Sequence, residues 1–395
     1  MIDELSALSE SELYPFHMPG HKRRGLSDLL SLGSEDADIM GKERKYKEFW
    51  LDGAYAHDIT EIDGFDDLQK PDGIIADIEE RIAAYYGVDR AFLSVNGSTC
   101  GNLSAISALV PHGGCLMMDE GCHRSVHNTV AIRELTAILL ERELIPESGL
   151  SACISLDETE KKLSEAKNKA MLPNAVLITS PTYEGFMADT EAIADLVHSY
   201  DIPLIVDGAH GAHLPVCREV DVTVVSLHKT LPAMTQVSAV LVNGERINPD
   251  EIKKYINIYQ TTSPSYILMA SAERCFDIME ENGEKLKSKL AENLDRLYSI
   301  NETLQRLYLT GSECINEYGI YDFDRSRVNV MDRTGSLTGS ELYDLFRTKY
   351  QLQPEKHTDR TCLMLTTVMD TEEGFDRLMV ALKEMDAFLV TYCLK

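Results

Sequence analysis

No apolar run in this chain is long enough to span a bilayer. Its acidic start, Met1-Ile2-Asp3-Glu4, has no apolar h-region that would mark a secretory signal. Basic residues are in deficit: 38 Lys and Arg stand against 65 Asp and Glu, a formal net charge of −27. That argues against a nucleic-acid binder, whose phosphates demand a basic surface. The acidity serves solubility, and its field would draw cationic small molecules toward a cleft. The nine cysteines are odd in number and include no C-x-x-C pair, which points to reduced thiols in a cytoplasm and away from a zinc knuckle. Neither G-x-G-x-x-G nor G-x-x-x-x-G-K-[ST] occurs, so the dinucleotide and P-loop readings lose ground. No tandem repeat or low-complexity linker stands out.

What is present is enough chain, 395 residues at 44% hydrophobic, for one large and one small domain. Residues 1–57 read as an irregular N-terminal arm, with a helix-like charged piece around Lys42 to Trp50. Asp72 to Tyr86 reads as an amphipathic helix ended by Gly87. Short apolar strands then alternate with helices: Ala91–Val95, a helix from Asn102 to Leu109, then Leu116–Met118, Ala137–Leu140, Ala175–Ile178, a helix from Thr190 to Ser199, Ile202–Val206, Val222–Val225 and Ser238–Val242. Continuous apolar strands between helices predict an α/β fold with a mainly parallel sheet covered on both faces, here over residues 58–263. Residues 264–395 predict linking helices, interrupted near Asn282-Gly283, and a smaller C-terminal α/β domain.

Ligands of such sheets bind at the strand carboxyl ends, and those ends carry the reactive residues. Asn96-Gly97-Ser98-Thr99 sits between strand and helix, a natural phosphate seat, although Ser and Thr also cap helices with no ligand present. Asp207 and Lys229 end two successive strands, one crossover apart, so an anion could hold one end of a planar cofactor while the lysine holds the other. A lysine at the end of a buried strand is desolvated, which lowers its pKa and suits a Schiff base. His123 could stack on a flat ring or cap a helix. The pairs His123/His127 and His210/His213, with Asp207, also admit a zinc site, although neither pair sits in H-E-x-x-H.

Taken in order, Phe16-His17-Met18-Pro19-Gly20-His21-Lys22, Asp58-Ile59-Thr60-Glu61, Asp66-Asp67-Leu68, Cys122-His123-Arg124-Ser125-Val126, Ser180-Pro181-Thr182-Tyr183, Asp207-Gly208-Ala209-His210-Gly211 and Ser226-Leu227-His228-Lys229 resemble the ornithine/lysine/arginine decarboxylases. These are fold-type I pyridoxal 5'-phosphate (PLP) enzymes of aspartate-aminotransferase architecture, and the likeness covers roughly residues 14–390. The resemblance implies a lyase that releases CO2 from arginine, lysine or ornithine and leaves a polyamine-type amine. It implies Lys229 as the Schiff-base lysine, Asp207 on the pyridinium nitrogen with Ala209 and His210 beside it, and His123 stacked on the ring. Ser98, Thr99, Ser226 and His228 would hold the phosphate. Thr262, within Thr261–Tyr266, would reach the partner subunit's phosphate in a cytoplasmic homodimer.

Gly208 stands where the family carries a larger residue, which is tolerated if that position faces away. Gln353-Pro354-Glu355-Lys356 and Leu365-Thr366-Thr367 resemble the family's small domain, with Glu355 a candidate for a cationic substrate side chain. The chain stops at Lys395, short of the further C-terminal domain of longer members, and the N-terminal wing domain of the large enzymes is not in it. Other fold-type I chemistry (an aminotransferase or another lyase), a zinc hydrolase and a non-catalytic paralogue are the alternatives.

Overall fold

The structure is a computed structural model that describes residues 12–22 and 57–392. Seven strands form the central sheet, in the spatial order Arg90–Ser94, Ser238–Val242, Val222–Val225, Leu204–Asp207, Ala175–Thr179, Cys115–Asp119 and Thr136–Leu140. Every neighbouring pair is parallel except the two made by Ser238–Val242. The five inner strands are buried at every residue, so apolar side chains occupy both faces rather than alternating with polar ones. One apolar cluster joins Ile106, Val224, Val240 and Ile252 across one face. A second joins Leu163, Ile178, Val197 and Val206 across the other. Each fully buried aliphatic side chain contributes about 1.5–3 kcal/mol. The predicted α/β class with a mainly parallel, doubly covered sheet is therefore the observed one.

A second sheet is antiparallel, in the order Leu307–Thr310, Arg327–Asp332, Thr361–Leu365 and Lys356–His357. Helix Gly339–Lys349 packs on it and starts with a capping box of Thr338 and Glu341. Helix Glu372–Tyr392 contacts it too. A continuous apolar cluster runs from helix Ile74–Tyr86 through helix Tyr266–Ser299 into this sheet.

Three expectations change. The N-terminal segment, otherwise irregular where it is described, holds one strand: Tyr14–Phe16 pairs in parallel with Leu352–Pro354, and its Phe16 is buried in the shared core. The helix-like piece around Lys42 to Trp50 lies outside the described residues. The helix expected from Asn102 starts at Gly97; glycine supplies the positive φ of 71° there, and Ser98 and Thr99 occupy the first turn, where N–H groups need no helical acceptor. The interruption at Asn282-Gly283 is absent, and one 34-residue helix spans Tyr266–Ser299. A helical glycine costs only about 1 kcal/mol, less than the burial of Met279, Leu286 and Leu290 around it contributes. Position 208 does face away from the cavity that holds Lys229, as expected: a Cβ on Gly208 would lie 3.1 Å from the Thr223 methyl and 3.4 Å from Val224 O, neither residue lining that cavity.

Candidate active site

Strands Leu204–Asp207 and Val222–Val225 are adjacent and parallel, with Asp207 in register with Val224. This carries Asp207 and Lys229 to the same edge of the sheet, beside the start of helix Gly97–Leu109. Ser98, Thr99, His123, Asp207, Ala209, His210, Ser226, His228 and Lys229 all line one cavity of about 620 Å³. Thr262 does not: it is exposed outside that cavity, in the segment whose Thr261 N–H donates to Asn96 Oδ1 at 3.3 Å.

Lys229 is enclosed enough that burial pushes its amine below the ordinary lysine value, against the pull of Asp207. Its Nζ lies 3.0 Å from His210 Nε2, and burial together with the Lys229 charge drives the His210 imidazole well below its usual range. His210 Nε2 is therefore the acceptor, which leaves the proton on Nδ1, a buried atom with no partner among the described residues. Asp207 is buried, and its oxygens accept from Asn102 Nδ2 at 2.8 Å and Ala209 N–H at 3.2 Å.

Asn102 Nδ2 also donates to Ser125 Oγ at 3.1 Å, and Ser125 Oγ lies 2.8 Å from His123 Nδ1. The Ser125 N–H donates to the same Nδ1 at 3.2 Å, so His123 caps helix Arg124–Ile132 while lining the cavity. Of the two readings of that histidine, the helix cap is the one its hydrogen bonds show. Burial lowers its pKa, which keeps the ring neutral with its proton on Nε2. Asn102 was missed in the sequence, although it lies four residues after Ser98 and hence on the same helical face.

At the other end of the cavity, Asn96 makes no side-chain cap on helix Gly97–Leu109, which leaves first-turn N–H groups for an anion. Ser98 Oγ and Ser226 Oγ are 2.6 Å apart. His228 Nδ1 donates to Val237 O at 2.9 Å, so its second nitrogen is free for a ligand, and burial lowers its pKa.

These residues fit PLP. Uncapped N–H groups, two hydroxyls and an imidazole are the chemistry that suits a phosphate, a fixed carboxylate suits a ring nitrogen, and a desolvated amine suits an aldehyde. The unpartnered Asn102 Oδ1 and His210 Nδ1 are buried beside them. A zinc site is not assembled: His127 Nε2 turns to Cys122 Sγ at 3.5 Å, and His213 Nε2 to Asp324 at 3.4 Å. Among the described residues, no three His, Cys, Asp or Glu side chains gather as ligands.

The roof of the cavity comes from elsewhere in the chain. Tyr183 packs on His210 with ring centres 4.3 Å apart and donates its O–H to Glu355 Oε1 at 2.5 Å. The other Glu355 oxygen accepts the Met18 N–H at 2.8 Å, so Glu355 braces the cavity wall. Arg327 is fully buried and donates through Nη2 to the His210 carbonyl. The segment His17–Lys22 bolts this roof to the lysine. Gly20 N–H donates to His228 O at 2.8 Å and its carbonyl accepts from the Thr367 hydroxyl at 2.9 Å. Only glycine fits there, since a Cβ would sit 2.7 Å from Leu231 O.

A family profile described as Orn/Lys/Arg decarboxylase, major domain, matches residues 1–374. The arginine decarboxylase of Bacillus anthracis is 28% identical over 381 residues, covering 94% of this chain and 73% of that protein. The lysine decarboxylase of Hafnia alvei is 24% identical over 316 residues, covering 75% and 41%. Among solved structures, the Francisella novicida lysine decarboxylase superposes with a TM-score of 0.75 at 18% identity, over 97% of this chain and 59% of that one. A PLP-dependent aminotransferase from Streptococcus suis gives 0.63 at 15%, over 98% and 97%. These low identities carry the fold, that of fold-type I PLP enzymes; this chain spans under two thirds of the Francisella enzyme. The profile covers nearly the whole sequence, and the chain belongs to the Orn/Lys/Arg decarboxylase family.

Proposed function

We propose that this protein is a PLP-dependent decarboxylase of a basic amino acid, releasing CO2 and an amine. The observation that carries this reading is the meeting of Lys229 and Asp207 in one cavity, at the ends of adjacent parallel strands. Bound there, PLP supplies an electron sink for the pair left behind when CO2 departs. Ser98, Thr99, Ser226, His228 and the first turn of helix Gly97–Leu109 would hold its phosphate, Asp207 its ring nitrogen, Lys229 its aldehyde carbon and His123 one ring face. The active unit in this reading is a homodimer, with Thr262 contributed to the partner's phosphate.

The chain's own residues supply the rest. Desolvation lowers the Lys229 amine's pKa, which favours its nucleophilic form, and His210 Nε2 accepts from it. Asn102 and Ala209 fix Asp207, so the carboxylate needs no reorganisation during the reaction. Lys229 or His123 would deliver a proton to the substrate α-carbon. The roof of Tyr183 and His210, held from behind by Arg327, would limit water at the reacting centre, which would favour loss of the carboxylate charge.

The test is to incubate purified holoenzyme with arginine, lysine and ornithine and assay CO2 and the amine. One of the three should be turned over, whereas a keto acid product would sink the reading. Borohydride should trap the cofactor on the wild-type chain, and Lys229→Ala should lose both adduct and turnover. An adduct formed at full yield by that variant would mean that another lysine holds the cofactor.

A further inference from the structure

One carboxylate at the cavity is neither buried under the cofactor seat nor saturated by its neighbours. Asp207 is held by Asn102 and Ala209, and Asp119 is taken bidentately by Arg142. Glu184 has one side-chain hydrogen-bond partner among the described residues: Lys356 Nζ, at 2.7 Å from Oε1. The same Nζ lies 4.0 Å from the centre of the Tyr183 ring. A carboxylate edge beside an aromatic face is the environment that alkylammonium and guanidinium groups take. Here a lysine of the chain itself occupies it.

The two halves of this cage differ in freedom. Tyr183 and Glu184 follow strand Ala175–Thr179. Tyr183 is fixed by its bond to Glu355, and the Glu184 carbonyl by the Asn329 amide at 2.9 Å. The Glu184 side chain is 13% exposed, whereas Lys356, at the start of an edge strand of the second sheet, is 34% exposed. The carboxylate is the fixed member and the lysine has solvent to swing into. A cationic substrate entering beside an intact Glu184–Lys356 pair would bring one unbalanced charge into a half-buried site. Exchanging one cation for the other keeps the charge balanced.

We propose that Tyr183 and Glu184 form the subsite for the distal cation of the substrate side chain, with Lys356 as an internal surrogate that substrate displaces. This rests on the basic-amino-acid reading above and names the residues that would enforce it. The surrogate has a cost for affinity, since the competent state is only the fraction in which Lys356 has swung out.

The test is equilibrium binding to the holoenzyme, read by absorbance of the bound cofactor, which needs no turnover. The probes are putrescine, cadaverine and agmatine, each against the n-alkylamine of equal length that lacks the distal cation. Wild type should bind at least one of the three about 10-fold or more tightly than its neutral counterpart. Glu184→Gln should collapse that ratio toward one while leaving the n-alkylamine unaffected. Lys356→Met should tighten the cationic probe several-fold, a gain that misfolding cannot produce. Wild type with no preference for the cation sinks the basic-substrate reading and the subsite with it. A preference that survives Glu184→Gln overturns the subsite alone. A Lys356→Met variant that binds no more tightly removes the surrogate role.

Discussion

The floor of the cavity and its roof are built by different means. Ser98, Asp207, Ser226 and Lys229 stand where strands of one sheet end or helices begin, on backbone pinned by fully buried neighbours. The roof depends on pairs far apart in the chain: Met18 with Glu355, Tyr183 with Glu355, Lys356 with Glu184, and Arg327 with His210. A floor on rigid strands keeps reacting groups in register. A roof held by a few polar contacts between two sheets is the part that can yield when a ligand enters. Chemistry and access are thus separable by mutation.

Asp207→Asn tests the floor. It keeps the shape and the Ala209 N–H contact but removes the charge opposite a ring nitrogen. The rate constant kcat should fall by about three orders of magnitude or more, equivalent to about 4 kcal/mol of transition-state stabilisation. The urea midpoint should stay near wild type. A near-normal rate would mean that the carboxylate charge does no chemical work, and the distinction between floor and roof would lose its meaning.

Lys22→Met tests the roof. Lys22 Nζ is buried, donates to Leu365 O at 2.5 Å and lies 3.6 Å from Asp370 Oδ2. Burial pushes the lysine down and the Asp370 carboxyl up, each opposed by the other's charge. Asp370 also accepts from Tyr14 O–H and Thr367 N–H. Removing the cation leaves a buried carboxylate without its partner, which should cost about 3 kcal/mol of stability, read from the urea midpoint at pH 7.5. The kcat of the folded fraction should change far less than in Asp207→Asn. The reverse pattern, an intact midpoint with a collapsed rate, would break the comparison.

The floor was legible in the sequence because each of its signals is local. A run such as Val222-Thr223-Val224-Val225 followed by Ser226 and Lys229 announces both a buried strand and its polar end, and Asp207 stands one crossover earlier. The roof was not legible, since nothing near Met18 or Tyr183 in the sequence signals Glu355, and nothing near Glu184 signals Lys356. Glu355 drew notice as a lone acid, but its role as a brace follows from two partners far apart in the sequence, Met18 and Tyr183. Local reading also failed where a residue's usual preference was outweighed. Gly283 reads as a break but sits inside a helix because its neighbours are buried. Ser98 and Thr99 read as loop but form a first helical turn.

Asn102→Ala sharpens the floor. It removes the donor shared by Asp207 and Ser125, and Ser125 in turn meets His123. Asn102 acts through those groups as a positioning residue. The expected loss is about 10-fold in kcat, the worth of one hydrogen bond to a charged group, with KM nearly unchanged. A change confined to KM would place Asn102 on the substrate instead.

The smallest effect tests where floor and roof meet, at His210. Its imidazole lies against Lys229 below, and Arg327 holds its carbonyl from above. Burial keeps the ring neutral well below its ordinary range, so at pH 5.5 the unfolded chain binds a proton here that the folded chain refuses. A depressed pKa makes this contribution to stability whole above about pH 6.5 and lost below it, at up to about 1.4 kcal/mol per pH unit. Glu79, raised to about 7 by burial, acts with the opposite sign in this window, so the total slope does not isolate His210. The difference between wild type and His210→Gln does, because both chains keep Glu79. Between pH 7.5 and 5.5 the variant's urea-derived stability should fall by about 1 kcal/mol less than that of wild type. Equal slopes would show that His210 takes up a proton in the folded protein. In that case it would meet an uncharged Lys229 as the donor, and the proton now assigned to the amine would sit on the ring.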